Sequence, residues 1–130
     1  MTIIGTCIAV VDDEEPIRTM LRRVLQLADY DVATFASGEA FLASLAERLP
    51  TCAIIDVHLP KLSGLQVHAR LAEMRIDLPV VFITASDDPH IGEQVRREHS
   101  AVLLRKPFSS AELFYAIAGA LRDRDGRDGG

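Results

Sequence analysis

The sequence at residues 7–28 is CIAVVDDEEPIRTMLRRVLQLA, an apolar run followed by acidic residues and then by a helical pattern. The first five residues have no polar interruption, which is typical of a strand covered on both faces of a parallel sheet. From Ile17 onward, apolar residues recur every three to four positions, and Pro16 stands where a first-turn proline fits. This stretch therefore predicts a strand, a short acidic loop and a helix.

The same arrangement occurs four more times along the chain. The further apolar runs lie at residues 32–36, 52–55, 80–83 and 101–104. Only the run at 32–36, which contains Thr34, has the composition of a half-exposed strand. Five alternations of strand and helix favour a three-layer α/β fold in which helices cover both faces of a five-stranded parallel sheet. The order of the strands does not follow from this pattern.

The third and fourth helices differ in how well the sequence anchors them. The third helix should begin near Gly64 and bury three apolar residues: Val67, Leu71 and Met74. The fourth helix, residues 88–98, has only Ile91 and Val95 as strong apolar anchors. We therefore expect the fourth helix to be the least firmly packed.

Length and composition limit the class of protein. A chain of 130 residues with 48% apolar and 25% charged residues is expected to form one globular domain. We assign that domain to residues 1–122. Residues 123–130 contain no apolar side chain and are expected to form a disordered polar tail.

Charge and hydropathy exclude several kinds of partner. A net charge of −5 disfavours nucleic acid as a direct partner, because contact with phosphates needs clustered Lys and Arg. No apolar stretch approaches the roughly 20 residues that span a bilayer, so a membrane partner is not expected. The first eleven residues lack a basic residue, which makes a poor signal peptide and predicts a cytoplasmic location. Cys7 and Cys52 are expected to be buried free thiols.

Chemically active side chains follow four of the five apolar runs. Asp12 and Asp13 follow the first, Asp56 the third, Thr84 the fourth and Lys106 the fifth. Because the carboxyl ends of parallel strands meet at one edge of a sheet, these side chains should converge in one crevice.

Each of these residues alone has an ordinary explanation as a helix cap, a turn residue or a solvated charge. Together, three carboxylates in one crevice would repel each other unless a cation were present. Three aspartates, one divalent cation and one lysine have a formal sum of zero charge. Oxygen donors without Cys or His favour Mg²⁺. An aspartate beside Mg²⁺ can attack a phosphoryl group, and Asp56 is the natural nucleophile.

Four segments carry a resemblance to a known family. They are VVDDE at 10–14, IIDVHLPKLSG at 54–64, ITA at 83–85 and RKPF at 105–108. Over residues 6–121 the chain resembles the receiver domain of bacterial two-component response regulators, most of all the FixJ class. The resemblance implies a (βα)5 flavodoxin-like, CheY-like fold with strand order 2-1-3-4-5.

The resemblance also implies roles for individual residues. Asp56 would accept a phosphoryl group from the phosphohistidine of a sensor histidine kinase or phosphotransfer protein, as a phosphoacceptor rather than an enzyme. Asp13, Asp56 and the backbone carbonyl of His58 would bind Mg²⁺, with Asp12 acting mainly through water. Two residues would bond the phosphoryl oxygens: Thr84 and Lys106. The Lys106–Pro107 peptide would be cis, and Gly64 would shape the loop after Asp56 through its tolerance of positive φ.

One departure from the family pattern leaves alternatives open. Members often carry Tyr or Phe three residues before the lysine, where this chain has Leu103. Phosphorylation would switch the face formed by the fourth helix, fifth strand and fifth helix, for binding of a downstream protein or a second copy. The alternative is an interaction module that uses this face without phosphorylation. A small phosphohydrolase is a third reading, although no second aspartate lies two residues after Asp56.

Overall fold

The computed structural model describes residues 6–98 and 101–129, the last seven of them by backbone alone. The strands are β1 (Cys7–Val11), β2 (Asp31–Phe35), β3 (Cys52–Asp56), β4 (Val80–Thr84) and β5 (Ala101–Arg105). The helices are α1 (Glu15–Leu27), α2 (Gly38–Ser44), α3 (Gly64–Glu73), α4 (Pro89–Arg96) and α5 (Ser110–Gly129). The side chains of residues 123–130, which form the predicted polar tail, lie outside the described residues.

The five strands form one parallel sheet with the order β2-β1-β3-β4-β5. This confirms the order that the resemblance implied. β1, β3 and β4 are buried along their whole length, whereas every residue of β2 is at least partly exposed. The runs that form β1, β3 and β4 and the half-exposed run that forms β2 have the burial that the sequence predicted. The expectation that β5 is covered on both faces is wrong: β5 lies at the other edge of the sheet, and Leu104 is its one buried residue.

Alternate residues of each strand serve two separate cores, as the period of a strand requires. One core lies between the sheet and α2, α3 and α4, with Phe41, Phe82 and Leu71 among its members. The other lies between the sheet and α1 and α5, with Leu21 and Ile117 among its members. The fold thus has the three layers that the alternation of strands and helices predicted.

The register of the sheet places the last residues of the central strands side by side. Asp56 of β3 is paired with Ile83, and Thr84 of β4 is paired with Arg105. The pairing continues one step beyond the strands, because the Lys106 N–H donates to the Thr84 carbonyl at 2.8 Å. The chain segments that carry the predicted site residues therefore end at the same edge.

Most of the buried residues predicted for α3 and α4 are confirmed. Among the described residues of α4, Ile91 and Val95 are the buried ones, as predicted. The expectation that Met74 faces inward is wrong, since its side chain is 48% exposed. α3 ends at Glu73, and Met74 is its C-cap. Arg75 has a left-handed φ of 59°, and the turn there places Ile76, rather than Met74, against the core.

The two cysteines are buried and free, as expected. Burial raises the pKa of the Cys52 thiol to about 12 and also raises that of Cys7. Both thiols are therefore protonated and unreactive near neutral pH. Among the described residues, no helix is both long enough and apolar enough to cross a membrane.

His68 lies on α3 with its side chain 13% exposed, packed against the ring of Phe82. Its Nδ1 is 3.3 Å from a carboxylate oxygen of Glu98. Burial lowers the pKa of His68 below its usual value, although the charges of Glu98 and Asp77 oppose this effect. The folded protein therefore keeps this imidazole neutral at a pH where the unfolded chain begins to protonate it.

This difference predicts a pH dependence of stability. A histidine whose folded-state pKa is lowered stabilises the fold fully above its unfolded pKa of about 6.5, and less as the pH falls. We expect the free energy of unfolding to fall more steeply between about pH 7 and pH 5.5 in the wild type than in His68→Gln. Chemical denaturation at each pH measures this. His90→Gln, which changes an exposed histidine of α4, should follow the wild type, and parallel curves for wild type and His68→Gln would contradict the prediction.

Candidate functional site

Three aspartates lie together at the carboxyl edge of the sheet. One carboxylate oxygen from each of Asp12, Asp13 and Asp56 lies within 4.8 Å of the other two. Asp12 is fully buried just after β1, and its N–H donates to the carbonyl of Phe35 at 3.1 Å. Asp56 ends β3 and is 5% exposed, whereas Asp13 is exposed. The convergence predicted for the three carboxylates is therefore present.

Short hydrogen bonds fix the two buried carboxylates. Asp12 Oδ1 accepts from the N–H of Glu14 at 2.8 Å, and Asp56 Oδ1 accepts from the N–H of His58 at 3.0 Å. Burial raises the pKa of Asp12, an effect that the Glu14 N–H and Lys106 partly offset and that the charge of Asp56 reinforces. Each of these carboxylates also keeps its second oxygen, Oδ2, directed toward Lys106.

Lys106 joins the cluster from the loop after β5. Its Nζ is 3.1 Å from Asp12 Oδ2, 3.4 Å from Asp56 Oδ2 and 3.3 Å from Glu14 Oε2. Burial acts to lower the pKa of Lys106, but the hydrogen bond to Asp12 and the charges of Asp56 and Asp12 outweigh it and raise the pKa. An ammonium has three donors, and each of them faces a carboxylate here.

Thr84 and His58 border the cluster. Thr84 ends β4 and is fully buried, and its Oγ1 accepts from the N–H of Ser86 at 3.0 Å. The oxygen acts as acceptor in this bond, and a hydroxyl also carries one proton that it can donate. His58 is exposed, and its N–H donates a hydrogen bond to Asp56 Oδ1. The peptide between Lys106 and Pro107 is cis, as the resemblance implied.

Gly64 is required here for space rather than for its backbone angle. The residue with a left-handed φ in this loop is Lys61, at 63°, so the expectation of a positive φ at Gly64 is wrong. Gly64 begins α3, and its N–H donates to the carbonyl of Val57 at 2.9 Å. A Cβ at Gly64 would overlap the carbonyl oxygen of Asp56 and lie 2.9 Å from the Cα of Val57.

Two residues of the site were missed by the sequence reasoning. Glu14 contacts Lys106, and Arg18 donates to the backbone carbonyl of Asp12 at 2.8 Å. The signal available for Glu14 was its place directly after the aspartate pair, in the same VVDDE segment. Glu14 adds a fourth negative charge, so a divalent cation and Lys106 together would leave one negative charge uncompensated.

The chemistry of the donors fits a hard metal ion. The three aspartates offer only carboxylate oxygens, and each can supply one of them to the same point. Oxygen-only donors favour Mg²⁺ or Ca²⁺ over softer metals. A buried carboxylate such as Asp12, held close to a second one, is stabilised by a cation between them. This acidic cluster could therefore hold a metal ion.

Comparison with known proteins gives a consistent result. Residues 8–118 match the sequence model of the response regulator receiver domain. The chain is 33% identical over 117 residues to the transcriptional regulatory protein TdiR of Thauera aromatica, covering 90% of this chain and 52% of TdiR. It is 32% identical over 120 residues to nodulation protein W of Bradyrhizobium diazoefficiens, covering 92% of this chain and 53% of that protein. The chain thus spans about half of the length of these curated relatives.

Solved structures show the same architecture. The chemotaxis protein CheY4 of Vibrio cholerae superposes with a TM-score of 0.80 at 26% identity, covering 89% of this chain and 98% of CheY4. The structure described as FixJ-N superposes with a TM-score of 0.80 at 28% identity, covering 91% of this chain and 94% of FixJ-N. The sheet order, the acidic cluster beside a lysine and the sequence match lead to one conclusion: the chain belongs to the response regulator receiver domain family of two-component signalling.

Proposed function

We propose that Asp56 is the phosphoacceptor of this receiver domain and that the donor is a phosphohistidine of a sensor histidine kinase or phosphotransfer protein. A carboxylate oxygen of Asp56 attacks phosphorus, and an O–P bond forms as the N–P bond breaks. The electron pair of that bond stays on the imidazole, which leaves neutral when its other ring nitrogen carries a proton. The product is an acyl phosphate, so the domain acts as a phosphoacceptor and not as an enzyme with a separate substrate.

One observation carries this proposal. Lys106, fifty residues beyond Asp56, has its Nζ 3.4 Å from Asp56 Oδ2 in a crevice that also contains Asp12. An ammonium in this place can bond the phosphoryl oxygens and stabilise their charge. The buried hydroxyl of Thr84 would donate a second such bond.

Mg²⁺ is the metal that we propose for the acidic cluster. Asp13 and Asp56 would bind it directly with the backbone carbonyl of His58, and Asp12 would act through water. When bound, Mg²⁺ neutralises charge on the transferring oxygens. The support for this assignment is the set of oxygen donors within reach of one another.

A cytoplasmic location is part of the same proposal and rests on membership of the family.

Incubation with acetyl phosphate tests the phosphoacceptor proposal. We expect intact-mass spectra of the wild type to show one added phosphoryl group in the presence of Mg²⁺ and none in excess EDTA. Transfer from a purified phosphohistidine protein should give the same product. Absence of the added group under every one of these conditions would contradict the proposal.

Removal of the metal gives a separate prediction. A ligand that binds only the folded state stabilises it by about 2.7 kcal/mol at one hundred times its dissociation constant. We expect millimolar Mg²⁺ to raise the Tm of the wild type and EDTA to reverse the rise. Asp13→Ala removes an exposed ligand without disturbing the core, so its Tm should not respond to Mg²⁺. An equal response of both proteins would contradict the assignment of Asp13 as a ligand.

The face formed by α4, β5 and α5 is the surface that we propose for partner binding, to a downstream protein or a second copy of the chain. β5 is one of the two edge strands, and Leu103 on it is only partly buried. Tyr115 of α5 is 74% exposed beside it. α4 buries Ile91 and Val95 among its described residues, so a small free-energy change at Thr84 could shift it.

Leu103 supports a second candidate, an interaction module that binds its partner through this face without phosphorylation. Leucine lacks the ring that would move between a buried and an exposed position. Binding or self-association measured for wild type, phosphorylated wild type and Asp56→Asn separates the two proposals. A change on phosphorylation supports the switch, and identical binding of all three supports the constitutive module.

A further inference from the structure

Glu14 is in an unusual position for its residue type. It is the N-cap of α1, where Ser, Thr, Asp and Asn are preferred because a short side chain can bond the first N–H groups of the helix. In the described structure its side chain makes no such bond. The carboxylate instead reaches Lys106, ninety-two positions away in the sequence. Glu14 is thus poorly suited to starting α1 and well placed for contact with Lys106.

Phosphorylation would change what Lys106 must bind. Its three donors already face Asp12, Glu14 and Asp56. An acyl phosphate on Asp56 would present oxygens of about two negative charges to the same ammonium. The donor that faces Asp56 passes to the phosphoryl group, and a second bond from Lys106 to that group requires the donor that now faces Asp12 or Glu14.

Asp12 and Glu14 differ in what release of Lys106 would cost. Asp12 is fully buried, so loss of Lys106 would leave a buried charge without its partner, which is strongly unfavourable. The side chain of Glu14 is 60% exposed, so water can replace Lys106 there at little cost. Glu14 is therefore the partner that Lys106 can leave most easily.

We propose that Glu14 is a positioning residue that holds Lys106 in the unphosphorylated protein and opposes its transfer to the phosphoryl group. This inference rests on the proposed phosphoacceptor role of Asp56. The negative charge of Glu14 also lies beside the point where an anionic phosphoryl donor must approach. The contact with Lys106 stabilises the unphosphorylated state, and the repulsion slows the approach of the donor, so both effects oppose phosphorylation.

The experiment compares four variants with the wild type in saturating Mg²⁺. Glu14→Gln removes the charge, and Glu14→Asp keeps the charge but is one methylene too short to reach Nζ. Glu14→Ser also removes the contact but supplies a better N-cap. Glu15→Gln is the matched control, because it removes a neighbouring exposed charge that does not contact Lys106. The readouts are the rate of phosphorylation by acetyl phosphate, the affinity for beryllofluoride as a phosphoryl analogue, and the Tm.

We expect Glu14→Gln to react about two- to five-fold faster than the wild type and to bind beryllofluoride more tightly by a similar factor, as suits an exposed ion pair. Glu14→Ser should show the same gain together with a higher Tm, and Glu14→Asp should lie closer to Glu14→Gln than to the wild type. Glu15→Gln should match the wild type.

Several outcomes would overturn the inference. Rates of Glu14→Gln and Glu14→Ser equal to or below the wild type would refute it, since a merely structural role would move the Tm and leave the rates alone. A wild-type rate for Glu14→Asp would show that only charge matters and would refute the restraint on Lys106. Failure of the wild type itself to react would count against the phosphoacceptor proposal instead.

Discussion

Replacement of Asp56 by asparagine is expected to abolish phosphorylation while leaving the fold intact. The carboxamide has the volume of the carboxylate and can still accept from the N–H of His58, but it offers no nucleophilic oxygen of comparable strength. Lys106 loses a charged partner, whereas Asp12 is relieved of a nearby like charge. Because these effects oppose each other, we expect the free energy of unfolding to change by less than about 1 kcal/mol.

Intact-mass spectrometry after incubation with acetyl phosphate and Mg²⁺ measures the loss, and chemical denaturation checks the fold. Asp87→Asn is the matched control, because Asp87 is an exposed aspartate near the same edge that contacts Arg105 at 3.4 Å. This control should be phosphorylated as fully as the wild type. A phosphoryl group found on Asp56→Asn would place the acceptor elsewhere in the acidic cluster and contradict the assignment.

The apolar runs coincide with the strands, but three of the runs end one residue before the strand does. The apolar runs ended at Ile55, Ile83 and Leu104, whereas the strands continue to Asp56, Thr84 and Arg105. Apolar patterning reports which residues face a core, whereas Asp56 and Thr84 lie at the site and Arg105 is exposed beside Asp87. Their backbones remain in the ladder, as the pairing of Asp56 with Ile83 demonstrates. The polar residues that interrupt the apolar pattern are therefore held in place by the backbone hydrogen bonds of the sheet.

The order of the strands could not be predicted from the pattern in the same way. Each run indicates burial, but a buried run fits several positions in a parallel sheet. Only the half-exposed run at residues 32–36 had a constrained position, at an edge, and β2 lies there. The remaining order came from the resemblance to a family, which carries topology that hydropathy does not contain.

The contact between Glu14 and Lys106 could not be predicted from the apolar pattern for a different reason. Strand ends can be assigned to an edge, but the path of a long flexible side chain across the crevice depends on neighbouring charges. Glu14 lies in the VVDDE segment, but the sequence analysis gave it no role in the cluster. The structure gives it a distance of 3.3 Å from Lys106 Nζ, which local sequence could not predict.

Gly64→Ala is expected to destabilise the protein strongly and to disturb the site. The new Cβ would overlap the Asp56 carbonyl oxygen and lie 2.9 Å from the Cα of Val57, so backbone rather than a flexible side chain would have to move. Overpacking of this kind typically costs about 1–3 kcal/mol, and rigid backbone favours the upper part of that range. Because the overlap involves Asp56 itself, we also expect slower phosphorylation in whatever fraction of the variant remains folded.

Gly92→Ala is the matched control for this substitution. Gly92 lies within α4, and a Cβ there would meet nothing within 4 Å. Alanine is favoured over glycine inside a helix by about 0.5–1 kcal/mol, so this variant should be more stable than the wild type and should be phosphorylated at the same rate. Denaturation curves and acetyl phosphate kinetics of both variants give the comparison. Equal stabilities for Gly64→Ala and Gly92→Ala would mean that α3 can move away from the end of β3 at little cost. That result would contradict the prediction that the close contact at Gly64 positions Asp56.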